Sequence, residues 1–200
     1  MNSYETLTPV GDYDTRVALA NARAKERGGQ AAHIQIHADT NPDPNVDRSL
    51  GIWMVGTPPE SQALARQAAE CAALRVPRDI RPFRRARVEL RGPGQPVTRG
   101  YICLEGSEIP ACLLEIGMVS SPAFATWVIT PAGISAMADA VVFTVTTALG
   151  PAGLAVISVG HVGRPKKPGD KGANVWGSHL MEADVCGMIA AEAVKRLRGI

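Results

Sequence analysis

Apolar and polar residues change rhythm several times along this chain, and those changes predict its elements. AAHIQIHAD (31–39) alternates with the period of two that marks a strand, then runs into the polar loop TNPDPNVDRS. GIWMVG, YICLEG, ACLLEIG and AVISVGH are further short apolar runs bounded by turn residues, and ETL (5–7) reads as another short strand. Helical segments fall between them. TRVALANARAKE (15–26) is opened by Asp12 or Asp14 as N-cap, and PPESQALARQAAECAAL has Pro in its first turn, an early Glu and good helix formers throughout. PAGISAMADAVVFTVTTALG is a helix bounded by Pro and Gly, although VVFTVTT within it is locally strand-like. HLMEADVCGMIAAEAVKRLRG is the last helix, with Ser178 as its cap and Lys/Arg in its final turns. Residues 75–100 read as irregular, rich in Arg, Pro and Gly.

Strands that alternate with helices, several of them almost wholly apolar, predict an α/β fold. We expect a mostly parallel twisted sheet of about six strands with helices on both faces, in a single domain over residues 1–200. A hydrophobic content of 46% fits this, and a chain of this length buries on the order of 70% of its unfolded surface without staples. The formal charge of +2 is too small for a nucleic-acid partner. MNSYETLTPVGDYD lacks the basic and apolar regions of a signal peptide, and no apolar run approaches the length of a membrane span. The expectation is therefore a monomer synthesised in the cytoplasm. Cys71, Cys103, Cys112 and Cys186 are dispersed without metal-finger spacing and read as buried or semi-buried thiols.

Open α/β sheets form their sites beyond the C-terminal ends of the strands. Four groups fall at such places: His37, Glu115, His161, and Glu182 early in the last helix. Two histidines and a carboxylate are a ligand set for catalytic zinc, and a second carboxylate suits proton transfer. A lone strand-end histidine more often bonds to backbone, so the convergence of several groups is what favours a site. His33 shares a face with His37 but lies four residues away, roughly 13 Å along the strand, too far to join it on one ion. His179, one helical turn before Glu182, is an alternative to His161 as a ligand. Glu105 and Glu108 sit in the turn-like LEGSEIP and read as solvated.

PACLLEIGMVSSP (110–122) resembles the P-A-V-L-V-E-x-G-F-x-S-N-P signature of zinc-dependent N-acetylmuramoyl-L-alanine amidases of the type 3 family. IQIHAD is similar to that family's S-I-H-A-D, RVALANARA to its R-x-x-x-A-N helix, AVISVGH with DKGA to D-P-G-H-G-G followed by D-x-G-A, and MEADV to E-x-D. The order differs: residues 151–200 correspond to the family's N-terminal part, so the resemblance implies a circular permutant with LGPAGL as its new connection. It also implies that His37, His161 and Glu182 bind Zn2+ and that Glu115 is the catalytic carboxylate. The substrate it implies is peptidoglycan, at the amide between N-acetylmuramic acid and L-alanine. A phage or prophage endolysin, acting on the cell wall after release, is the expected role.

Departures leave every proposed ligand in place: Ser158-Val159-Gly160 for D-P-G, Val162 for the following glycine, Pro9 for an arginine, Gln35 for the serine of S-I-H, and Met118 for a phenylalanine. Two rival readings are a non-catalytic cell-wall-binding module that keeps the fold, and a zinc peptidase or amidohydrolase acting on another amide. RDIRPFRRARVELR (78–91) carries six arginines, read either as a solvated insertion or as a patch for an anionic wall surface.

Overall fold

A computed structural model describes residues 3–43, 48–80, 86–91 and 104–199. In chain order the elements are β1 (Ser3–Leu7), α1 (Tyr13–Arg27), β2 (Ala31–Asp39), β3 (Ser49–Met54), α2 (Glu60–Arg75) and β4 (Ala86–Arg91), followed by β5 (Ala111–Met118), α3 (Pro122–Val128), α4 (Pro131–Leu149), β6 (Ala152–Val159) and α5 (Glu182–Arg198). The strands form one sheet in the order β1-β6-β2-β5-β3-β4. Four neighbouring pairs are parallel and β3 runs antiparallel to β5, so the sheet is mixed but mostly parallel. The reversal at β3 has a simple cause. The connection between Asp39 and Ser49 is shorter than the dozen or so residues that a parallel crossover requires, whereas α2 supplies that crossover between β3 and β4.

Alternation along the interior strands sends apolar side chains to both faces. On one face Ala32, Ile34, Ile36 and Ala38 of β2 join Leu114 and Ile116 of β5 and Ala155 and Ile157 of β6 under α2, α4 and α5. On the other, Ala31, Leu154 and Val156 pack on Ala20 of α1, and Leu50, Ile52 and Leu113 surround Leu104. Helices thus cover both faces, and burial on both sides is why β2, β5 and β6 read as near-continuous apolar runs. The exceptions on the α1 face are His33, Gln35 and His37, all buried.

Several sequence expectations change. Residues 75–100 are not wholly irregular: β4 lies within them as an edge strand, and ARVELR alternates charged and apolar residues as an edge strand does. Of YICLEG, residues 101–103 lie outside the described residues and Leu104–Gly106 form a turn rather than a strand. Ser178 does not cap the last helix. Met181 is the N-cap, Asp184 accepts from its backbone N–H at 2.9 Å, and Glu182 is the first helical residue. Helix α4, 19 residues with a mean hydropathy of 1.5, does reach the length and apolarity of a membrane span, contrary to expectation. It packs into the core through Met137, Val141 and Val145, as an apolar core helix does. Its strand-like stretch VVFTVTT stays helical, with Val141, Thr144 and Val145 buried in the core. Cys71, Cys112 and Cys186 are buried free thiols, while Cys103 and residues 81–85 of the Arg-rich tract lie outside the described residues.

Candidate metal centre

Three of the four expected groups converge at the C-terminal edge of the sheet. His37, His161 and Glu182 each offer a ligand atom, and these atoms lie within 4.8 Å of one another. His37 comes from the end of β2. His161 lies just past β6, and Glu182 opens α5. His37 Nδ1 is 2.9 Å and His161 Nε2 3.4 Å from Glu182 Oε1, so both rings turn a nitrogen toward the same oxygen. The two rings meet edge to face with centroids 5.1 Å apart.

Local backbone chemistry makes this approach possible. A Cβ at Gly160 would collide with Cε1, Nδ1 and Nε2 of His37, so only glycine lets that ring lie against the end of β6. Gly172 has φ +75°, and a Cβ there would strike the Glu182 carboxylate. His161 itself has φ 62°, a left-handed conformation that histidine tolerates better than branched residues. Arg16 of α1, almost fully buried, holds this corner by donating to the carbonyls of Gly11 (2.8 Å), Val159 and Val162.

The charges are organised around Glu182. Burial acts to raise its pKa, but hydrogen bonds and charge from His161 and His37 outweigh this and hold the carboxylate well below its usual range. Backbone N–H groups of Ala38 and Ala173 also donate to it, each at 3.2 Å, and its place at a helix N-terminus favours the anion. Burial lowers the pKa of His37 despite Glu182. For His161 burial is the largest single influence and acts downward, yet the hydrogen bond and charge of Glu182, joined by Asp170, raise the net value.

Asp170 is a supporting residue to which sequence reasoning gives no role. Its Oδ1 lies 2.9 Å from His161 Nδ1 and accepts from Gly172 N–H at 3.1 Å, while Oδ2 accepts from Arg164 at 2.8 Å. A carboxylate on Nδ1 fixes the imidazole so that Nε2 is presented to the centre, the arrangement found behind many metal-bound histidines. Arg164 is held in turn over the Tyr13 ring, 4.3 Å from its centroid. The signal for Asp170 was present in the sequence as the one carboxylate in the loop after His161.

Glu115 stands beside the triad. It is the register partner of His37 on the neighbouring parallel strand, which places the two backbones about 4.8 Å apart with side chains on one face. It is 7% exposed, and its Oε2 has no hydrogen-bond partner. Burial pushes its pKa well above the usual carboxylate range, and the charges of Asp39 and Glu182 add to this against the opposing charge of Arg48. A buried, protonatable carboxyl next to a ligand cluster is what proton transfer at such a centre requires.

The remaining candidates are not brought in. His179 is exposed and outside the cluster, as are Glu105 and Glu108. His33 is fully buried, with Nε2 2.7 Å from Ser158 Oγ, and burial with the nearby Arg16 charge lowers its pKa to about 4. It is a neutral core histidine. A set of two imidazoles and one carboxylate, gathered in a glycine-lined niche, suits a borderline divalent cation such as zinc.

No protein-family model matches the sequence, and comparison with curated proteins finds no match. Solved structures do match in fold. An N-acetylmuramoyl-L-alanine amidase from Clostridium difficile 630 is 18% identical with a TM-score of 0.50, over 68% of this chain and 64% of that one. The catalytic domain of CwlV, an N-acetylmuramoyl-L-alanine amidase from Bacillus (Paenibacillus) polymyxa var. colistinus, is 15% identical with a TM-score of 0.50, over 70% and 66%. The match thus spans just under two thirds of each solved chain. This chain has the α/β fold of those amidase domains.

Proposed function

We propose that this chain is a zinc-dependent N-acetylmuramoyl-L-alanine amidase that cleaves the amide between N-acetylmuramic acid and L-alanine in peptidoglycan. The observation that carries the reading is the convergence of His37, His161 and Glu182 with Glu115 alongside, at the strand ends of an amidase-like sheet. His37 Nδ1, His161 Nε2 and a Glu182 oxygen would hold the ion. When bound, zinc supplies Lewis acidity to the scissile carbonyl and to the attacking water.

This chain's own residues do the rest. Glu115 takes a proton from the attacking water and returns it to the departing amine nitrogen, which leaves as the free N-terminus of L-alanine. Asp170 keeps His161 in its ligating tautomer, and Glu182 neutralises part of the cation's charge. In this reading the enzyme acts on the cell wall in the manner of an endolysin.

The chain order fits a permuted member of the fold. β6 and β1 are parallel neighbours, and α5 packs on both. Joining the end of α5 to the start of β1 would therefore make a β-α-β unit, and Arg198 of α5 already donates to Thr6 Oγ1 of β1 at 2.6 Å. Packing of α5 against β1 is what such a permuted chain order requires.

Purified peptidoglycan sacculi test the activity. We expect new N-terminal alanine without new reducing sugars, lost on chelation and restored by zinc. Release of other N-termini would assign a peptidase instead, and binding without any product would assign a wall-binding module.

A further inference from the structure

Gln35 lies two residues before His37 on the same face of β2 and is fully buried. Its Nε2 is 3.1 Å from His37 Nε2, while its Oε1 is buried with no partner. On the other side of the imidazole, Nδ1 faces Glu182 Oε1 at 2.9 Å. With the side chains as placed, the proton assignment follows from the donors. The Gln35 amide N–H donates to the Nε2 lone pair, and Nδ1–H donates to the Glu182 carboxylate.

A metal held with Glu182 needs the lone pair on Nδ1, so the ring proton must then sit on Nε2. An Nε2–H facing the Gln35 NH2 would set donor against donor. A half turn of the Gln35 amide removes the conflict, because it brings the unpartnered Oε1 to where the nitrogen was, and terminal amide torsions are broad and two-fold. The exchange of tautomers moves no net proton. An apolar residue at position 35 would support neither state, and a residue that only donates would oppose the metal-bound one.

We infer that Gln35 is a positioning residue for metal capture: its amide turns over so that Oε1 accepts from His37 Nε2–H and fixes Nδ1 as the ligating nitrogen. This inference rests on the metal-site reading above. It also gives content to a sequence departure, since Gln35 stands where the similar amidase motif has serine.

The test combines zinc affinity, by competition with a chromophoric chelator, with side-chain 15N NMR of the His37 ring in metal-free and zinc-loaded protein. Wild type should change from the Nδ1–H to the Nε2–H tautomer on loading. Gln35→Leu, similar in volume but without an acceptor, should bind zinc roughly 10- to 100-fold more weakly, the usual cost of losing an outer-shell partner. Gln35→Glu, which keeps an acceptor at the same reach, should remain close to wild type. Unchanged affinity in Gln35→Leu overturns the inference, as does equal weakening in both variants, which would indicate packing alone. A wild-type protein that binds no zinc overturns the metal-site reading itself, and that result is distinguishable from the other two.

Discussion

His37 Nδ1 and Glu182 Oε1 are 145 positions apart in the chain and 2.9 Å apart in the fold. The pair joins the end of β2 to the start of α5, and His161 meets the same oxygen from the loop after β6.

In the proposed mechanism Glu115 moves a proton without being a ligand. Glu115→Gln should therefore bind zinc as wild type does, yet lose roughly 10²- to 10⁴-fold of its rate on sacculi. Chelator competition and product release, measured on the same sample, check this. Full activity in the variant would remove Glu115 from the mechanism.

In the proposed metal site Asp170 acts through His161, whose Nδ1 it meets at 2.9 Å. Asp170→Ala should weaken zinc binding about 10- to 100-fold, with the helical circular dichroism unchanged. A zinc titration that matches wild type would reduce Asp170 to a loop residue.

Gly160 and Gly187 form a contrasting pair. A Cβ at Gly160 runs into the His37 ring, whereas one at Gly187, inside α5, meets nothing within 4 Å. Gly160→Ala should fold but bind zinc poorly. Gly187→Ala should leave binding intact and gain about 0.5–1 kcal/mol in urea unfolding through helix propensity and a less flexible unfolded chain.

His33 makes stability depend on pH. Its folded pKa is lowered to about 4 from 6.5 by burial and by Arg16. Between those values the unfolded chain binds a proton that the folded chain refuses, so stability is full above pH 6.5 and falls as the pH drops toward 4. The loss is on the order of 3 kcal/mol. Urea midpoints of metal-free protein should shift accordingly, and His33→Gln should flatten the change in that window. Parallel curves for the two proteins would contradict the assignment.

Much of the fold was legible because its signals are local. AAHIQIHAD matches β2 residue for residue, since a period of two can be read along a single strand. The capping of α5 was misread because Ser178 and Met181 compete for one role, and the backbone at the loop decides it. β4 was missed because an edge strand shows only charged alternation, without the apolar run of an interior strand.

By itself, the sequence determined most of the element types, the two-sided burial of the sheet and the four residues worth watching: His37, Glu115, His161 and Glu182. These depend on hydrophobic period and side-chain chemistry, which are properties of short stretches. Only the tertiary structure decided which groups meet. It set β6 between β1 and β2, brought His161 to His37, and left His179 exposed. It also showed that Ser158 supports buried His33, and that Asp170 and Gln35 hold the outer nitrogens of the two imidazoles. Strand order and ring orientation arise from contacts between distant segments, and no local pattern encodes those.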